Sequence, residues 1–359
     1  MPDADGASTS SLLRPRVVPP WPPSSTGELG EGKVFAHQVV EYAGPDALEW
    51  NEVAEPEPGS DGEVLVDVVA AGVSFADLLQ TRGEYQLKPP LPFSPGMDAT
   101  GVVRWASKDT GLEIGQRVVV LLRYGCWQEV VVARREHVLP LPDDSSFESG
   151  VALALNSLTA LFALETRGGV VAGETLLVHG AAGGVGTAAV QLGRTLGLRT
   201  IAVVSDETKR SFALECGAHE AVLVDDWPGA LQDVLGKRAV DIVFDPVGGD
   251  RFTDNLRCLA PGGRVLVVGF AAGTIPEVKT NRLLLANIGV LGAASLEYFE
   301  SVPAARATLW EQLLRLRRAG ALPSPPVESF LFADARGALR AVAERRSLGK
   351  VVLTRDDSG

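Results

Sequence analysis

A glycine-rich turn between a predicted strand and a predicted helix has the composition of a phosphate-binding loop. The turn, AAGGVG at 181–186, follows the apolar run Thr175–His179 and leads into a predicted helix over 184–196. Glycines let the backbone approach an anion, and the free N–H groups of a helix N-terminus favour negative charge. Only the last two glycines of the G-x-G-x-x-G fingerprint are kept, and a turn that merely packs helix on strand is the alternative. The predicted cofactor contacts here are Ala182, Gly183, Gly184, Val185 and Gly186.

The end of the next predicted strand carries the residues that would distinguish NADP from NAD. NAD-binding folds place an acidic residue there for the ribose 2′-hydroxyl, whereas this strand ends in Ser205, with Lys209 and Arg210 in the next turn. A hydroxyl and nearby cations suit a 2′-phosphate, so we expect NADPH, bound through Ser205 and Lys209. The alternative is that the two cations form a solvated helix face. Asp206 and the pair Asp225–Asp226 are expected to weaken the preference for a phosphate.

The composition limits the classes to which the protein can belong. Of 359 residues 46% are apolar, which is enough for sizeable cores, and the length favours two domains. Lys and Arg number 33 against 45 Asp and Glu, and the net charge of −12 disfavours nucleic acid and anionic membranes as partners. Cys126, Cys216 and Cys258 lack metal-binding or disulfide spacing, and Asp3 and Asp5 stand where a secretory signal would be basic. We therefore expect a cytoplasmic protein.

Composition and hydrophobic pattern divide the chain into four segments. Residues 1–33 are rich in Ser, Pro and Gly without an apolar period, which predicts a disordered tail. Short β-like runs separated by turn residues fill 34–149. Over 150–289 apolar strands alternate with helices, which is typical of a parallel sheet covered on both faces. Residues 290–359 contain one amphipathic helix and a final apolar strand.

Four motifs of the sequence belong together: GVSFAD at 72–77 with GEY at 83–85, LPFSPGMDATG at 91–101, the turn at 181–186, and DPVGG at 245–249. They resemble segments of one enzyme family, the zinc-independent quinone oxidoreductase branch (ζ-crystallin-like enzymes) of the medium-chain dehydrogenase/reductase superfamily. The resemblance spans about Val34 to Leu353. It implies an α/β protein with a GroES-like β domain, 34–149 and 290–359, and a Rossmann domain with a doubly wound parallel sheet, 150–289.

The resemblance also implies a reaction, hydride transfer from NADPH to a quinone or an α,β-unsaturated carbonyl. Ser74 and Met97 stand where zinc-dependent relatives carry metal ligands, and neither side chain replaces a thiolate or an imidazole, so no metal is expected. In the family the segment matching Ser74–Tyr85 lines the nicotinamide pocket. We expect Tyr85 to donate to the acceptor oxygen, with Asp77 and Ser74 as the other candidate catalytic residues. The alternatives are a domain-edge aromatic for Tyr85 and a helix cap or turn residue for Asp77.

The remaining cofactor contacts are expected from the resemblance alone. They are Thr159, Val247, Gly248, Gly269, Phe270 and Lys350. The expected partners are a small quinone or enone substrate and a second copy of the chain in a homodimer. Two other functions stay open: an enoyl-thioester reductase like those of polyketide synthases, and a non-catalytic NADPH-binding protein like some crystallin-like and vesicle-associated relatives. Ser74 and Leu79 replace the Asn and Tyr usual in the family and so keep the second one open.

Overall fold

The structure, a computed structural model, describes residues 32–236 and 239–355. Residues 1–31 of the predicted disordered tail, 1–33, lie outside the described residues. Lys33, the last residue of that predicted tail, belongs to the first strand. The described residues form two large sheets, each with its own apolar core, and a separate two-stranded pair.

The first part of the chain supplies most of an antiparallel sheet. Its elements are β1 (Lys33–Val39), β2 (Leu48–Ala54), β3 (Glu63–Val73), α1 (Phe75–Thr81), β4 (Asp98–Ala106), β5 (Arg117–Leu121), β6 (Val130–Arg134) and β7 (Val138–Pro140). β1 and β2 form a separate antiparallel pair, and β4 lies between β3 and β5. The central strand β3 is long and mostly apolar because both of its faces are covered.

A continuous helical segment, Phe147–Arg167, connects the two sheets. It consists of α2 (Phe147–Ala152), a π-helical stretch (Leu153–Ser157), α3 (Leu158–Leu161) and a second π-helical stretch (Phe162–Arg167). Ser146 caps it, as its hydroxyl accepts the Ser149 N–H at 3.1 Å. The segment is long and apolar enough to cross a membrane, but its most apolar stretch is 78% buried inside the protein, as expected of a core helix.

The middle of the chain alternates strands and helices. The elements are β8 (Thr175–His179), α4 (Gly184–Thr195), β9 (Arg199–Val204), α5 (Glu207–Glu215), β10 (Glu220–Leu223), α6 (Trp227–Leu235), β11 (Val240–Asp245), α7 (Phe252–Cys258), β12 (Leu259–Val267), α8 (Thr280–Ala286) and β13 (Gly289–Gly292). Within the described ranges six parallel strands lie in the order β10-β9-β8-β11-β12-β13. The order reverses between β8 and β11, and such a switch point is where dinucleotides bind. The predicted α/β fold class is confirmed.

The end of the chain returns to the antiparallel sheet. It contains α9 (Ser295–Ser301), α10 (Pro303–Arg318), β14 (Val327–Leu331), α11 (Ala335–Ala343) and β15 (Lys350–Thr354). β15 pairs antiparallel with β3, with Val351 opposite Val73, and parallel with β14. Just before β15, Gly349 forms an isolated bridge with Gly183 of the glycine turn. The glycine turn, the start of β15 and the end of β3 therefore lie side by side.

Candidate functional site

The glycine turn closes tightly on the protein at two of its residues. A Cβ at Gly186 would lie 2.2 Å from the Gly180 carbonyl oxygen, so no side chain fits there. A Cβ at Gly184 would lie 2.2 Å from Nδ2 of Asn156. The turn leads into α4, whose first N–H groups have no helical carbonyl to bind and can hold an anion. This geometry fits the phosphate-binding role predicted for Ala182–Gly186.

Gly183 differs from these two glycines, because the fold does not need a glycine there. Its backbone is extended (φ −85°), and the nearest atom to a Cβ is the Gly180 oxygen at 3.5 Å. Close approach of a ligand would explain the missing side chain. We expect Gly183→Ala to leave Tm unchanged and to weaken NADPH binding about tenfold, equivalent to about 1.4 kcal/mol. Calorimetric binding and thermal unfolding measure both quantities.

Gly186→Ala is the contrasting variant for this prediction, because its Cβ meets backbone, and it should lower Tm. Unaltered NADPH binding by Gly183→Ala would show that no ligand approaches that residue.

Asn156 is a neighbour of the turn that the sequence analysis did not identify. It lies in the first π-helical stretch, is 8% exposed, and places its amide against Gly184. Such stretches frequently mark functional sites. The one sequence feature that could have identified Asn156 is that its amide side chain interrupts an apolar helical segment.

A buried polar chain holds the turn after β11. Oδ1 of Asp245 accepts the N–H groups of Val247 (2.8 Å) and Gly248 (2.9 Å), and its Oδ2 accepts Nδ2 of Asn255 at 2.9 Å. Oδ1 of Asn255 lies 2.7 Å from Nε2 of His179 at the end of β8. Burial lowers the pKa of His179, which keeps the ring neutral. The predicted contacts Val247 and Gly248 are thus fixed beside the switch point.

Gly269 and Phe270 follow β12 and lie next to this turn. A Cβ at Gly248 would be 3.0 Å from Cδ1 of Phe270, whose ring is 37% exposed. The four residues predicted after β11 and β12 therefore form one wall at the carboxyl end of the parallel sheet. A dinucleotide in such a fold lies across that end.

The predicted 2′-phosphate residues lie in an open cavity of about 450 Å³. Nζ of Lys209 donates to Oγ of Ser205 at 2.9 Å and to the carbonyl oxygen of Arg345 at 2.7 Å. Asp206 caps α5, and the hydrogen bonds from the Lys209 N–H and from Ser205 lower its pKa, so this carboxylate stays charged beside Lys209. The full lining is Ser205, Asp206, Thr208, Lys209, Glu344, Arg345, Arg346 and Leu348.

Two features of this cavity differ from the expectation. The described lining does not include Asp225 or Asp226, so the carboxylates that oppose a phosphate are those of Asp206 and Glu344. Arg345 and Arg346 add cations that the sequence analysis missed, and Nη2 of Arg345 reaches the Ala271 carbonyl oxygen at 3.2 Å. About 140 residues separate these arginines from Lys209. Their signal was a pair of adjacent cations just before Gly349.

Ser74 and Asp77 form a capping box at the start of α1. The Asp77 N–H donates to Oγ of Ser74 at 3.3 Å, while the Ser74 N–H (2.7 Å) and Oγ (2.6 Å) donate to Oδ2 of Asp77. The alternative of a helix cap for Asp77 therefore describes its local role. Its side chain is fully buried, and Oδ1 has no hydrogen-bond partner among the described residues. Burial raises the pKa of Asp77 to about 7.

A second buried carboxylate, Asp98, lies beside this box. Nζ of Lys350 approaches Oδ2 of Asp98 at 2.8 Å and Oδ1 at 3.0 Å, with both side chains at most 2% exposed. Burial raises the pKa of Asp98, and Lys350 opposes the shift. Lys350 was expected to contact the cofactor, but here its ammonium is committed to an internal ion pair. Its cofactor role stays a prediction.

Tyr85 lies half-buried near charged groups of α1, α9 and the β5–β6 loop. Burial, followed by the negative charges of Glu297 and Asp77, raises the pKa of Tyr85 to about 12. Arg123 forms ion pairs with Glu297 (3.1 Å) and with Glu300, which link the β5–β6 loop to α9. The hydroxyl of Tyr85 therefore stays protonated at neutral pH and can donate a hydrogen bond.

Thr159 occupies the helical segment behind this region. Its hydroxyl lies 2.8 Å from Oγ of Ser295, so in this structure the threonine side chain contacts α9. Within residues 32–236 and 239–355 no three His, Cys, Asp or Glu side chains come together as metal ligands. The absence of a metal requirement and the role of Thr159 both stay predictions.

Comparison with known proteins identifies the relatives of this chain. The sequence matches the family models "Alcohol dehydrogenase GroES-like domain" over residues 60–143 and "Zinc-binding dehydrogenase" over residues 184–311. Quinone oxidoreductase-like protein 2 of Rattus norvegicus is 34% identical over 352 residues, 96% of this chain and 99% of that protein. The structure of a probable oxidoreductase from Mycobacterium abscessus is 37% identical with a TM-score of 0.83, covering 90% of this chain and 100% of that one. The structure of the quinone oxidoreductase of Thermus thermophilus, solved also in complex with NADPH, is 34% identical with a TM-score of 0.73. The match covers 89% of this chain and 99% of that one.

Proposed function

The chain belongs to the zinc-independent quinone oxidoreductase type of the medium-chain dehydrogenase/reductase family, and from this premise we propose that it reduces quinones or α,β-unsaturated carbonyls with NADPH. Membership makes it an NAD(P)-dependent oxidoreductase. The choice of NADPH and the acceptor class are the proposed part.

The residues present fit a dinucleotide with a 2′-phosphate. The first N–H groups of α4 suit the pyrophosphate, and a Cβ at Gly184 or Gly186 would collide with the protein that closes the turn. The cavity at the end of β9 offers Lys209, Arg345 and Arg346 to a phosphate. When bound, the reduced nicotinamide supplies a hydride.

The acceptor pocket is supported by one observation above all, the row of residues formed by Gly183, Gly349, Lys350 and Ser74. Gly183 bridges Gly349, and Val351 pairs with Val73, so Ser74 lies about two strand spacings, roughly 10 Å, from the glycine turn. This row brings the Ser74 hydroxyl near a dinucleotide turn. Donors aimed at an oxygen that gains negative charge stabilise the transition state of hydride addition, and we assign this role to the Tyr85 hydroxyl.

The test is an acceptor panel followed by the absorbance of NADPH. We expect oxidation with 1,4-benzoquinone and cyclohex-2-enone and much slower oxidation with crotonyl thioester. Tyr85→Phe should slow turnover, whereas Tyr124→Phe, a change at an exposed tyrosine, should not. Tight NADPH binding without turnover of any acceptor would favour a non-catalytic protein, and preference for the thioester would favour an enoyl reductase.

We also propose that a second copy of the chain covers the β13 edge of the parallel sheet. Within the described residues β13 pairs with β12 alone, which leaves its other edge open. The adjacent α8 exposes Leu284 (76%) and Leu285 (78%), and Ile275 nearby is 73% exposed. Two such edges can pair antiparallel about a twofold axis and bury these side chains.

Light scattering of the purified protein tests this assembly. The wild type should have the mass of a dimer, and the double variant Leu284→Glu/Leu285→Glu should be monomeric, because charges would be buried at the interface. Ile114→Glu changes an apolar residue of similar exposure, 69%, outside the β13 edge and should leave the dimer intact. A monomeric wild type would contradict the proposal.

A further inference from the structure

The proposed reduction of an enone needs a proton as well as a hydride, and Tyr85 is a poor source of one. Hydride addition leaves an enolate, which becomes product by taking up a proton. The pKa of Tyr85 is raised to about 12, which makes its hydroxyl a hydrogen-bond donor and a weak acid. A group near the acceptor whose pKa lies closer to neutral would release a proton more readily.

Ser74 and Asp77 are connected in a way that suits this task. Oγ of Ser74 lies 2.6 Å from Oδ2 of Asp77, a distance typical of a strong O–H···O hydrogen bond. Asp77 is fully buried, whereas Ser74 is half-buried, follows directly on β3 and belongs to the row that includes the glycine turn. Oδ1 of Asp77 accepts nothing from the described residues, which leaves the carboxyl group free to carry a proton.

We propose that Asp77 holds the proton that ends on the acceptor and that the Ser74 hydroxyl passes it on, an inference that rests on the proposed function. When Asp77 is protonated on Oδ2, the 2.6 Å hydrogen bond runs from Oδ2 to Oγ of Ser74. The enolate oxygen then takes the proton of Ser74 Oγ while Oγ takes the proton of Asp77 Oδ2. One O–H bond forms at the acceptor and one breaks at Asp77, whose carboxylate then takes a proton from solvent. The hydride has already supplied both electrons, so the proton transfer changes no oxidation state.

The groups around Asp77 place its titration in the useful range. Asp98 faces it from β4, Lys350 from β15, Tyr85 from the loop after α1 and Cys126 from the loop between β5 and β6. Burial raises the pKa of Asp77 to about 7; the Ser74 hydrogen bond and Lys350 lower it, and Asp98 raises it. Burial lifts the pKa of the Cys126 thiol well above its usual range, so this group stays neutral.

The experiment compares enone and quinone reduction by the NADPH-loaded enzyme between pH 5.5 and 9. Only the protonated form of Asp77 can give a proton to the enolate. The enone kcat should therefore be level below about pH 7 and fall about tenfold per pH unit above it. Asp77→Asn keeps an oxygen for the Ser74 N–H, and it should lower the enone kcat at pH 6 about a hundredfold and remove the fall. Quinone reduction should fall less than enone reduction, because a quinol anion is a weaker base than an enolate and can leave the site before it is protonated.

Two serine variants separate proton transfer from helix capping. Ser74→Ala loses the hydroxyl and should resemble Asp77→Asn on the enone, whereas Ser74→Thr keeps the hydroxyl and the cap and should restore the rate. Infrared difference spectra of the cofactor-free protein provide a second readout. A protonated carboxyl band that titrates near pH 7 should be present in the wild type and absent in Asp77→Asn.

Each outcome decides between the proposals. An enone profile unchanged in Asp77→Asn, or the lack of a titrating carboxyl band, overturns this inference and leaves the proposed function standing. A wild type that binds NADPH and reduces neither acceptor overturns the proposed function and this inference with it.

Discussion

Lys350→Met is expected to lower the free energy of unfolding by about 3–5 kcal/mol at pH 7. The change leaves the Asp98 carboxylate without its cation in a site where both side chains are at most 2% exposed. A buried charge that loses its partner must be desolvated without compensation or neutralised by a proton. Denaturant unfolding of the two proteins, followed by circular dichroism, measures the difference.

The pH dependence of this loss has a definite sign. Burial raises the pKa of Asp98 and Lys350 lowers it, so Lys350→Met moves this pKa further above its usual value in the folded state. The folded variant then holds a proton that the unfolded chain releases, and the variant loses stability relative to the wild type as pH rises. The deficit should therefore be smaller at pH 5 than at pH 7.

Two further variants make this prediction specific. Asp98→Asn with Lys350→Met removes both charges and should recover most of the stability. Lys33→Met breaks an exposed pair with Glu52 and should leave Tm unchanged. A Lys350→Met protein as stable as the wild type, but with weakened NADPH binding, would show that Lys350 contacts the cofactor instead.

The parts of the site formed by neighbouring residues could be predicted from the sequence. The glycine turn is defined within six residues, because strand, turn and helix follow one another and each has a local signal. Ser205 and Lys209 are one helical turn apart, and the structure joins them by a 2.9 Å hydrogen bond. For the same reason the apolar run Thr175–His179, which precedes the glycine turn, has the bounds of β8.

The parts that depend on distant segments could not be predicted in this way. Arg345 reaches the end of β9 only because β15 returns to β3, and no local pattern encodes that pairing. The same return buries Lys350 against Asp98, an ion pair that no local pattern indicates. Asp77 was a candidate catalytic residue or a cap; the local pattern supported both, and its burial with an elevated pKa depends on β4 and β15.

The second large effect is expected at Lys209, where Lys209→Ala should raise the Kd for NADPH about ten- to a hundredfold and change that for NADH far less. A hydrogen bond from an ammonium to a phosphate contributes roughly 1.5–3 kcal/mol, which corresponds to that range. Nζ of Lys209 already points into the cavity, held by Ser205 and the Arg345 carbonyl, so it needs little reordering to bind. Asp206 and Glu344 line the same cavity, and their charges should keep the wild-type preference for NADPH modest.

Arg210→Ala is the matched control for Lys209→Ala, because Arg210 is the next residue of α5 but does not line the cavity. Its guanidinium instead pairs with Glu207 at 3.3 Å. Both variants remove one positive charge from the same helix, so a long-range effect of net charge would weaken NADPH binding in both. A local phosphate contact would weaken it in Lys209→Ala alone. Fluorescence titrations with NADPH and NADH at two salt concentrations separate the cases, since screening acts mainly on the long-range part. Equal losses for the two cofactors, or a wild-type preference for NADH, would contradict the assignment of this cavity to the 2′-phosphate.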